Sequence, residues 1–199
     1  MAERMIGRDT LRALKIFSIL AVGIALGLVA TCATVIRSNK SGGVSNGPWR
    51  TSLYAGSSEG SSYLRAYIAV HGLLALGRKE TIYYTAAGDS EGHALDGNCS
   101  YQVEGRDLPA RWWSITAYGA DDFLIPNTAD RYSVSMNSVG RRADGTFAVT
   151  LSRKQVEGDW IPVTGGRFDI TIRLYNPQAA LVADPARVAL PTIKKAACE

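Results

Sequence analysis

The chain has 199 residues, of which 46% are hydrophobic and 20% are charged. This balance fits one folded domain with an appendage and excludes both a disordered chain and a large barrel enzyme. The formal net charge is +4, but six of the 22 Lys and Arg and only two of the 18 Asp and Glu lie in residues 1–40. The remainder carries sixteen charges of each sign, so the composition argues against nucleic acid as a partner of the folded part.

The amino-terminal segment contains an uncharged run over residues 16–36, preceded by a basic leader over residues 1–15. As a helix this run is about 30 Å long, which matches the apolar thickness of a bilayer. It exceeds the apolar core of most signal peptides, so we favour an uncleaved, single-pass transmembrane helix over a cleaved signal sequence. The flanking positive charges favour a cytoplasmic amino terminus. We therefore expect a protein of the bacterial inner membrane whose carboxy-terminal domain lies in the periplasm.

Two glycines of this segment, Gly23 and Gly27, form a GxxxG motif. Small residues at this spacing allow two helices to approach closely in lipid, although glycine is also frequent in membrane helices in general. The expected partners are therefore the lipid bilayer and, through these glycines, either another membrane protein or a second copy of the chain.

A polar stretch rich in Gly and Ser, residues 37–48, is typical of a flexible linker. Residues 49–199 are predicted to form the folded domain. Within it, residues 61–76 repeat apolar side chains at helical spacing, with Ser61 or Ser62 as a cap and Gly77 at the end. We expect an amphipathic helix here, with His71 packed on its apolar side.

Strands are predicted for most of the remaining chain, at residues 81–86, 100–104, 112–118, 132–136, 146–151 and 167–175. The last segment is the clearest, because Phe168, Ile170, Ile172 and Leu174 alternate with polar residues. Short strands with frequent turns, such as Asp144-Gly145, indicate an antiparallel β-sandwich rather than a parallel sheet. The predicted fold class is therefore mainly β, with one soluble helix and a preceding transmembrane helix.

The three cysteines are Cys32 in the apolar run, Cys99 at the start of a strand and Cys198 as the penultimate residue. An oxidising compartment would allow Cys99 and Cys198 to pair, which would tie down the carboxyl-terminal tail. The alternative is two free thiols. No Cys/His cluster indicates a zinc site, and no cofactor is predicted.

An ordered series of residues runs through the domain: Arg65-Ala66, Asp89, Gly92, Leu95-Asp96-Gly97, Tyr101, Trp113-Ser114, Tyr118, Asn127, Arg131-Tyr132-Ser133, Asp144-Gly145, Trp160, Pro162, Phe168 and Arg173-Leu174-Tyr175. This series resembles the domain of unknown function 1214 over residues 47–177. The chain is similar to the short membrane-anchored form, without the domain of unknown function 1254 that precedes it in larger relatives. The resemblance implies a jelly-roll-like β-sandwich and no established catalysis, so no catalytic residue is carried over. Asp159 departs from the Asn expected before Trp160, which concerns only a local turn.

The loop at residues 89–97 combines three carboxylates, Asp89, Glu91 and Asp96, with His93. Hard oxygen ligands could hold calcium, and the histidine could help to hold a transition metal. Asp and Gly are also ordinary turn formers, and the loop lacks the spacing of an EF-hand. No metal site is predicted on this basis.

Arginine and aromatic side chains are the remaining candidates for ligand binding. Arg65, Arg131 and Arg173 could hold an anion in bidentate fashion, or they could pair with carboxylates such as Asp169. Trp112 and Trp113 must lie on opposite faces of their strand, so only one can be in the core. The aromatic cluster fits either a ligand surface or core packing. The predicted ligand-binding residues are Arg65, Asp96, Trp113, Tyr118, Arg131, Tyr132, Trp160 and Arg173.

No motif of a nucleophilic hydrolase, a P-loop, a zinc protease or a dinucleotide-binding protein is present in the sequence. Our leading hypothesis is a membrane-anchored periplasmic binding or interaction module, for example an accessory subunit of an envelope complex. The alternative is an envelope enzyme that acts on a glycan or a small acidic substrate through a cleft with Asp89, Asp96 and the arginines. That alternative requires a pocket that joins Asp96, Arg131 and Trp113.

Overall fold

A computed structural model of the chain describes residues 2–38, 43–70 and 75–198. The chain divides into two compact units, residues 1–41 and 42–199. The first unit contains helix α1 (Ala2–Ser38). Within it, Thr10–Arg37 is long and apolar enough to cross a membrane, a property that membrane anchors and signal sequences share.

Three hydroxyl groups inside helix α1 are satisfied by the helix itself. Ser18, Thr31 and Thr34 each donate to the backbone carbonyl four residues earlier, at 2.8–2.9 Å. A hydroxyl that is bonded in this way does not need water. These three polar side chains are therefore compatible with a lipid environment.

The second unit is mainly β, as predicted. Within the described residues its elements are, in chain order, β1 (Gly43–Asn46), β2 (Trp49–Ser52), α2 (Ser62–Val70), β3 (Thr81–Ala86), β4 (Cys99–Arg106), β5 (Ala110–Gly119), β6 (Ser133–Ser135), β7 (Thr146–Ser152), β8 (Trp160–Pro162), β9 (Phe168–Pro177), α3 (Ala179–Ala183) and β10 (Thr192–Cys198). The first sheet has the order β1-β2-β3-β9-β5-β6, and the second has the order β10-β4-β7-β8. Strands β7 and β8 pair in parallel, whereas the other strand pairs are antiparallel.

The six predicted strands are all present, with ends that differ by no more than two residues. Strands β1, β2, β8 and β10 and helix α3 were not predicted, because each is short or lacks a clear alternation of apolar residues. Strand β1 lies inside the predicted linker and pairs with β2. The carboxyl-terminal half of residues 37–48 is thus part of the first sheet.

Helix α2 begins as predicted. The Ser61 hydroxyl accepts the backbone N–H of Leu64 at 3.1 Å, which is the bond of an N-terminal cap. The described helix ends at Val70, and residues 75–77 are not helical, so the described helix is shorter than predicted. His71 lies outside the described residues.

The two sheets share one hydrophobic core. Trp113 of the first sheet packs on Phe147 of the second, with ring centroids 4.9 Å apart. Phe168 and Tyr101 make a second contact between the sheets, at 5.8 Å. The four apolar side chains that alternate along β9 are all buried, as predicted. Each large side chain buried here contributes about 2–3 kcal/mol of hydrophobic stabilisation, so this core holds the two sheets together.

The carboxyl-terminal tail is fixed by a strand and by a disulfide. Strand β10 pairs with β4, with Cys198 opposite Cys99, and these two cysteines form the predicted disulfide. Before this strand, the carbonyls of Pro185, Val188 and Pro191 each accept a side-chain hydrogen bond at 2.7 Å from the β1–β3 region. The tail therefore links the edges of both sheets.

The turn between β3 and β4 needs a glycine at one position. A Cβ atom on Gly97 would lie 1.7 Å from the carbonyl oxygen of Thr164. The backbone N–H of Gly97 also donates to Gly166 at 2.8 Å. Because the two backbone segments are in direct contact, no side chain fits between them.

Candidate functional site

The outward face of the first sheet carries a polar cluster. Along β9, Asp169, Thr171 and Arg173 alternate with the core residues and therefore point away from the core. Tyr118 on β5 lies directly opposite Asp169 in the strand register. On the other side of β9, the hydroxyl of Thr85 lies 3.0 Å from that of Thr171. Charged, phenolic and hydroxyl groups are thus held side by side on three rigid strands.

Arg173 is positioned by an aromatic ring rather than by a carboxylate. One of its terminal N–H groups donates to the Tyr118 hydroxyl, and its Cζ atom lies 5.2 Å from the centroid of the same ring. Within the described part of the chain, no carboxylate forms a salt bridge with this guanidinium. Arginine has five N–H donors, so most of them remain available for a ligand.

Asp169 is a partly buried carboxyl group with unusual acidity. Burial raises its pKa from 3.8 to about 7, and repulsion from Asp122 adds to this rise. Attraction by Arg173 acts in the opposite direction and is the smallest of the three effects. This carboxyl group therefore keeps its proton to a much higher pH than an ordinary aspartate does. Shifts of this kind are typical of functional sites, although structural sites also show them.

Aromatic side chains flank the cluster. Trp112 and Tyr175 lie opposite each other on β5 and β9, with ring centroids 5.3 Å apart and planes inclined by 56°. Both rings are half-buried and face away from the core. They offer an apolar surface on the same face as the hydroxyl groups of Thr85 and Thr171.

The prediction that Trp112 and Trp113 lie on opposite faces is confirmed. Trp113 is fully buried in the core, where it packs between the sheets and is not part of an exposed ligand-binding surface. A signal in the sequence could have shown this, because Ile115 and Ala117 share its position in the alternation of β5. Ser114 and Thr116 share the alternation of Trp112.

Arg131 and Trp160 are brought together away from β9, where β6 approaches β8. A terminal N–H of Arg131 donates to the carbonyl of Trp160 at 3.4 Å. The Trp160 indole N–H donates to the carbonyl of Ser152 at 3.0 Å, and its ring is almost fully buried. This pair therefore has the contacts of a structural corner rather than of a binding surface.

Three other predicted residues have separate positions. The Asp96 carboxylate accepts both the backbone and the side-chain N–H of Asn98 at 2.9 Å, which closes a turn. Arg65 is exposed on α2. Tyr132 is half-buried just before β6, and its pKa is raised by burial and by neighbouring Asp130. Since Trp113 lies in the core, the pocket that the enzyme hypothesis required of Asp96, Arg131 and Trp113 is not formed.

The acidic loop at residues 89–97 is organised by its own backbone. Asp89 is 2% exposed, and one of its oxygens accepts the N–H groups of Glu91 and His93 at 3.0 and 2.9 Å. Burial alone would raise the pKa of Asp89, but these N–H groups lower it overall. Among the described residues, no three His, Cys, Asp or Glu side chains lie close enough together to hold a metal ion. The contacts fit the turn interpretation of this loop.

A shallow groove lies on the outward face of the second sheet, with a volume of about 320 Å³. Its lining includes Arg142 and Asp159. Arg142 donates to the Glu104 carboxylate at 3.2 Å, and Asp159 accepts the backbone N–H of Gly140 at 2.7 Å. These two charged groups of the groove are thus engaged by other groups of the protein.

The fold and the site define a two-sheet β domain that follows an apolar helix and carries an Asp-Arg-Tyr cluster on one sheet. The family described as "Protein of unknown function (DUF1214)" matches residues 80–179. The chain belongs to this family, and the resemblance seen in the sequence is confirmed. The matched segment includes β5 and β9, and with them all three residues of the cluster.

Two solved structures are similar to the chain. The VPA0106 protein from Vibrio parahaemolyticus is 23% identical, with a TM-score of 0.58 over 67% of this chain and 35% of that protein. An uncharacterized protein from Burkholderia cenocepacia is 16% identical, with a TM-score of 0.41 over 59% of this chain and 29% of its own. The chain thus spans about a third of the length of each structure, and the first likeness supports the fold alone. A comparison with curated proteins finds no match.

Proposed function

We propose that the protein is a membrane-anchored binding or interaction module of the bacterial inner membrane. In this proposal residues 1–15 are a cytoplasmic leader, residues 16–36 span the membrane and the β domain lies in the periplasm. The observation that carries the proposal is the disulfide between Cys99 and Cys198 in a domain that follows an apolar helix. Disulfides persist in oxidising compartments such as the periplasm and are rare in the cytosol.

The helix supports an anchor rather than a cleaved signal sequence. Its uncharged run, residues 16–36, has 21 residues, which is longer than the apolar region of a typical signal peptide. The hydroxyl groups within it bond to the helix backbone, as a lipid environment requires. Basic residues at both ends suit the two membrane surfaces.

Binding is favoured over catalysis by the state of the predicted carboxylates. Asp89 and Asp96 were the acids of the enzyme hypothesis, and both are committed to hydrogen bonds in their own turns. Arg173, by contrast, has donors that the described protein groups do not use. A rigid sheet that presents such a group is suited to recognition.

A jelly-roll-like arrangement is part of the proposal for the domain. The chain crosses repeatedly between the two sheets, from β3 to β4, from β4 to β5, from β6 to β7, from β8 to β9 and from β9 to β10. Such crossing between facing sheets is the pattern of a jelly roll, in which two sheets form one sandwich.

The partner side of the proposal concerns helix α1. Gly23 and Gly27 lie four residues apart and therefore on one side of helix α1. This small-residue face supports packing against a second copy or against another membrane protein, such as a subunit of an envelope complex. Replacing both glycines with leucine should reduce association in native membranes, measured by cross-linking, whereas leucine at Ala21 and Ala25 serves as the control.

Membrane topology provides the main test. The full chain, with epitope tags at both ends, is expressed in a Gram-negative host and treated with protease in spheroplasts and in inverted vesicles. We expect loss of the carboxyl-terminal tag in spheroplasts and its protection in inverted vesicles, with both tags on one membrane-bound chain. Release of a shorter soluble chain would identify a cleaved signal sequence, and protection in spheroplasts would contradict the periplasmic placement.

A further inference from the structure

We propose that the outward face of the first sheet binds a hydroxylated carboxylate, such as a sugar acid, with Arg173 as its anchor and Asp169 on the same face as a second polar contact. The inference rests on the proposed binding function and names its ligand class. The site comprises Arg173, Asp169 and Tyr118, together with the aromatic pair Trp112–Tyr175. It also includes a row of hydroxyl-bearing residues on the same face: Thr85, Thr171, Thr116 and Ser133.

The anchor follows from the unused donors of Arg173. Its guanidinium is fixed by the Tyr118 hydroxyl and ring, so little side-chain freedom is lost when a ligand binds. The planar group matches the two oxygens of a carboxylate in bidentate geometry. A ligand carboxylate would also supply the salt-bridge partner that the described residues do not give this guanidinium.

The role of Asp169 follows from electrostatics. An ionised ligand beside an ionised Asp169 would be repelled, whereas a protonated Asp169 can donate a hydrogen bond to it.

The charged groups that act on Asp169 are Asp122, after β5, and Arg173. Tyr118 faces it from β5, and Arg50 lies on β2 opposite Thr85, on the far side of β3. Partial burial and Asp122 both favour the protonated form, so proton uptake on ligand binding is favourable near neutral pH.

The hydroxyl row and the aromatic pair indicate the body of the ligand. Thr85, Thr171, Thr116 and Ser133 lie side by side across four strands. Thr171 and Thr116 are buried, whereas Thr85 is half-buried and Ser133 is exposed, so the hydroxyl groups of Thr85 and Ser133 can exchange hydrogen bonds with those of a ligand. The rings of Trp112 and Tyr175 offer the apolar surface on which a sugar ring packs. These groups favour a hydroxylated acid over an aliphatic one.

The test compares D-glucuronate with D-glucose as its neutral counterpart, using calorimetric titration of the full chain in detergent. We expect binding of glucuronate but not of glucose, and a fall in affinity that approaches about tenfold per pH unit above the pKa of Asp169. Equal binding of the two sugars, or no binding of glucuronate, would overturn the proposal. Neither comparison needs a variant, so the test does not depend on the folding of a mutant.

Variants then locate the site. Arg173→Gln should abolish glucuronate binding, whereas Arg111→Gln, which removes an exposed charge from neighbouring β5, should leave it intact. Asp169→Asn should retain binding as the pH rises, because the amide cannot ionise. Unchanged binding in Arg173→Gln, or an unchanged pH dependence in Asp169→Asn, would refute the assignment. Purified protein in detergent reports on the site independently of membrane orientation, so failure here is distinguishable from failure of the proposed topology.

Discussion

Replacing Asp169 with asparagine should stabilise the folded protein at neutral and alkaline pH and have little effect in acid. Partial burial and the charge of Asp122 raise the pKa of this carboxyl from 3.8 to about 7. At about 1.4 kcal/mol per pH unit, ionisation in the folded state is disfavoured by at most about 4 kcal/mol. The side chain retains some contact with water, so we expect a gain of roughly 2–4 kcal/mol in the free energy of unfolding of the variant.

The sign follows from proton linkage. Between pH 3.8 and about 7 the folded state binds the Asp169 proton more tightly than the unfolded state does. The contribution of this proton to stability is therefore complete below the lower value and is lost as the pH rises through the upper value. Asparagine has no such proton, so the advantage of the variant should grow across this window and then level off.

Guanidinium unfolding of the full chain in detergent, followed by tryptophan fluorescence from about pH 4 to about pH 8, measures this effect. Glu157→Gln is the control, because it removes an exposed carboxylate and should leave the pH profile unchanged. Parallel pH profiles of the wild type and Asp169→Asn would refute the reasoning. A fall in stability of Asp169→Asn at high pH would show that the ionised carboxylate has a stabilising partner.

Three further predictions concern stability. Replacing Cys99 and Cys198 with serine should lower the free energy of unfolding by roughly 4 kcal/mol in the chain-entropy model, because the disulfide spans 99 residues. Chemical reduction of the wild-type protein should lower its Tm by as much as the double substitution does. Unequal losses of Tm would contradict this account. Trp113→Ala should cost about 3–5 kcal/mol in denaturant unfolding and Trp112→Ala clearly less, so equal losses would contradict their opposite faces. Gly97→Ala should cost about 3 kcal/mol or more, because its Cβ meets a backbone oxygen; a wild-type Tm would exclude this contact.

Several features of the fold were predictable because their causes are local. The alternation of Phe168, Ile170, Ile172 and Leu174 identified β9 and its buried face before any pairing was known. The start of α2 followed from the capping capacity of Ser61. The elements that were missed, such as β1 and β8, have four and three residues, too few for a periodic pattern to emerge.

The candidate site shows where local reasoning ends. Tyr118 and Arg173 were both named from the sequence, but 55 positions separate them along the chain, and only the register of β5 and β9 places them in contact. Asp169 was named only as a possible salt-bridge partner of an arginine. Its acidity depends on partial burial and on Asp122, which lies in the turn after β5.

The order of amino acids was enough to predict the apolar helix, the location of the net charge, the mainly β class, the family and the pair of cysteines able to form a disulfide. These properties depend on composition, on short-range periodicity or on an ordered series of residues. Tertiary structure alone decided the strand order, the contact of Arg173 with Tyr118 and the environment of Asp169. Solvation and long-range contacts control a carboxyl group's acidity and an arginine's free donors, and both arise only when distant strands pair.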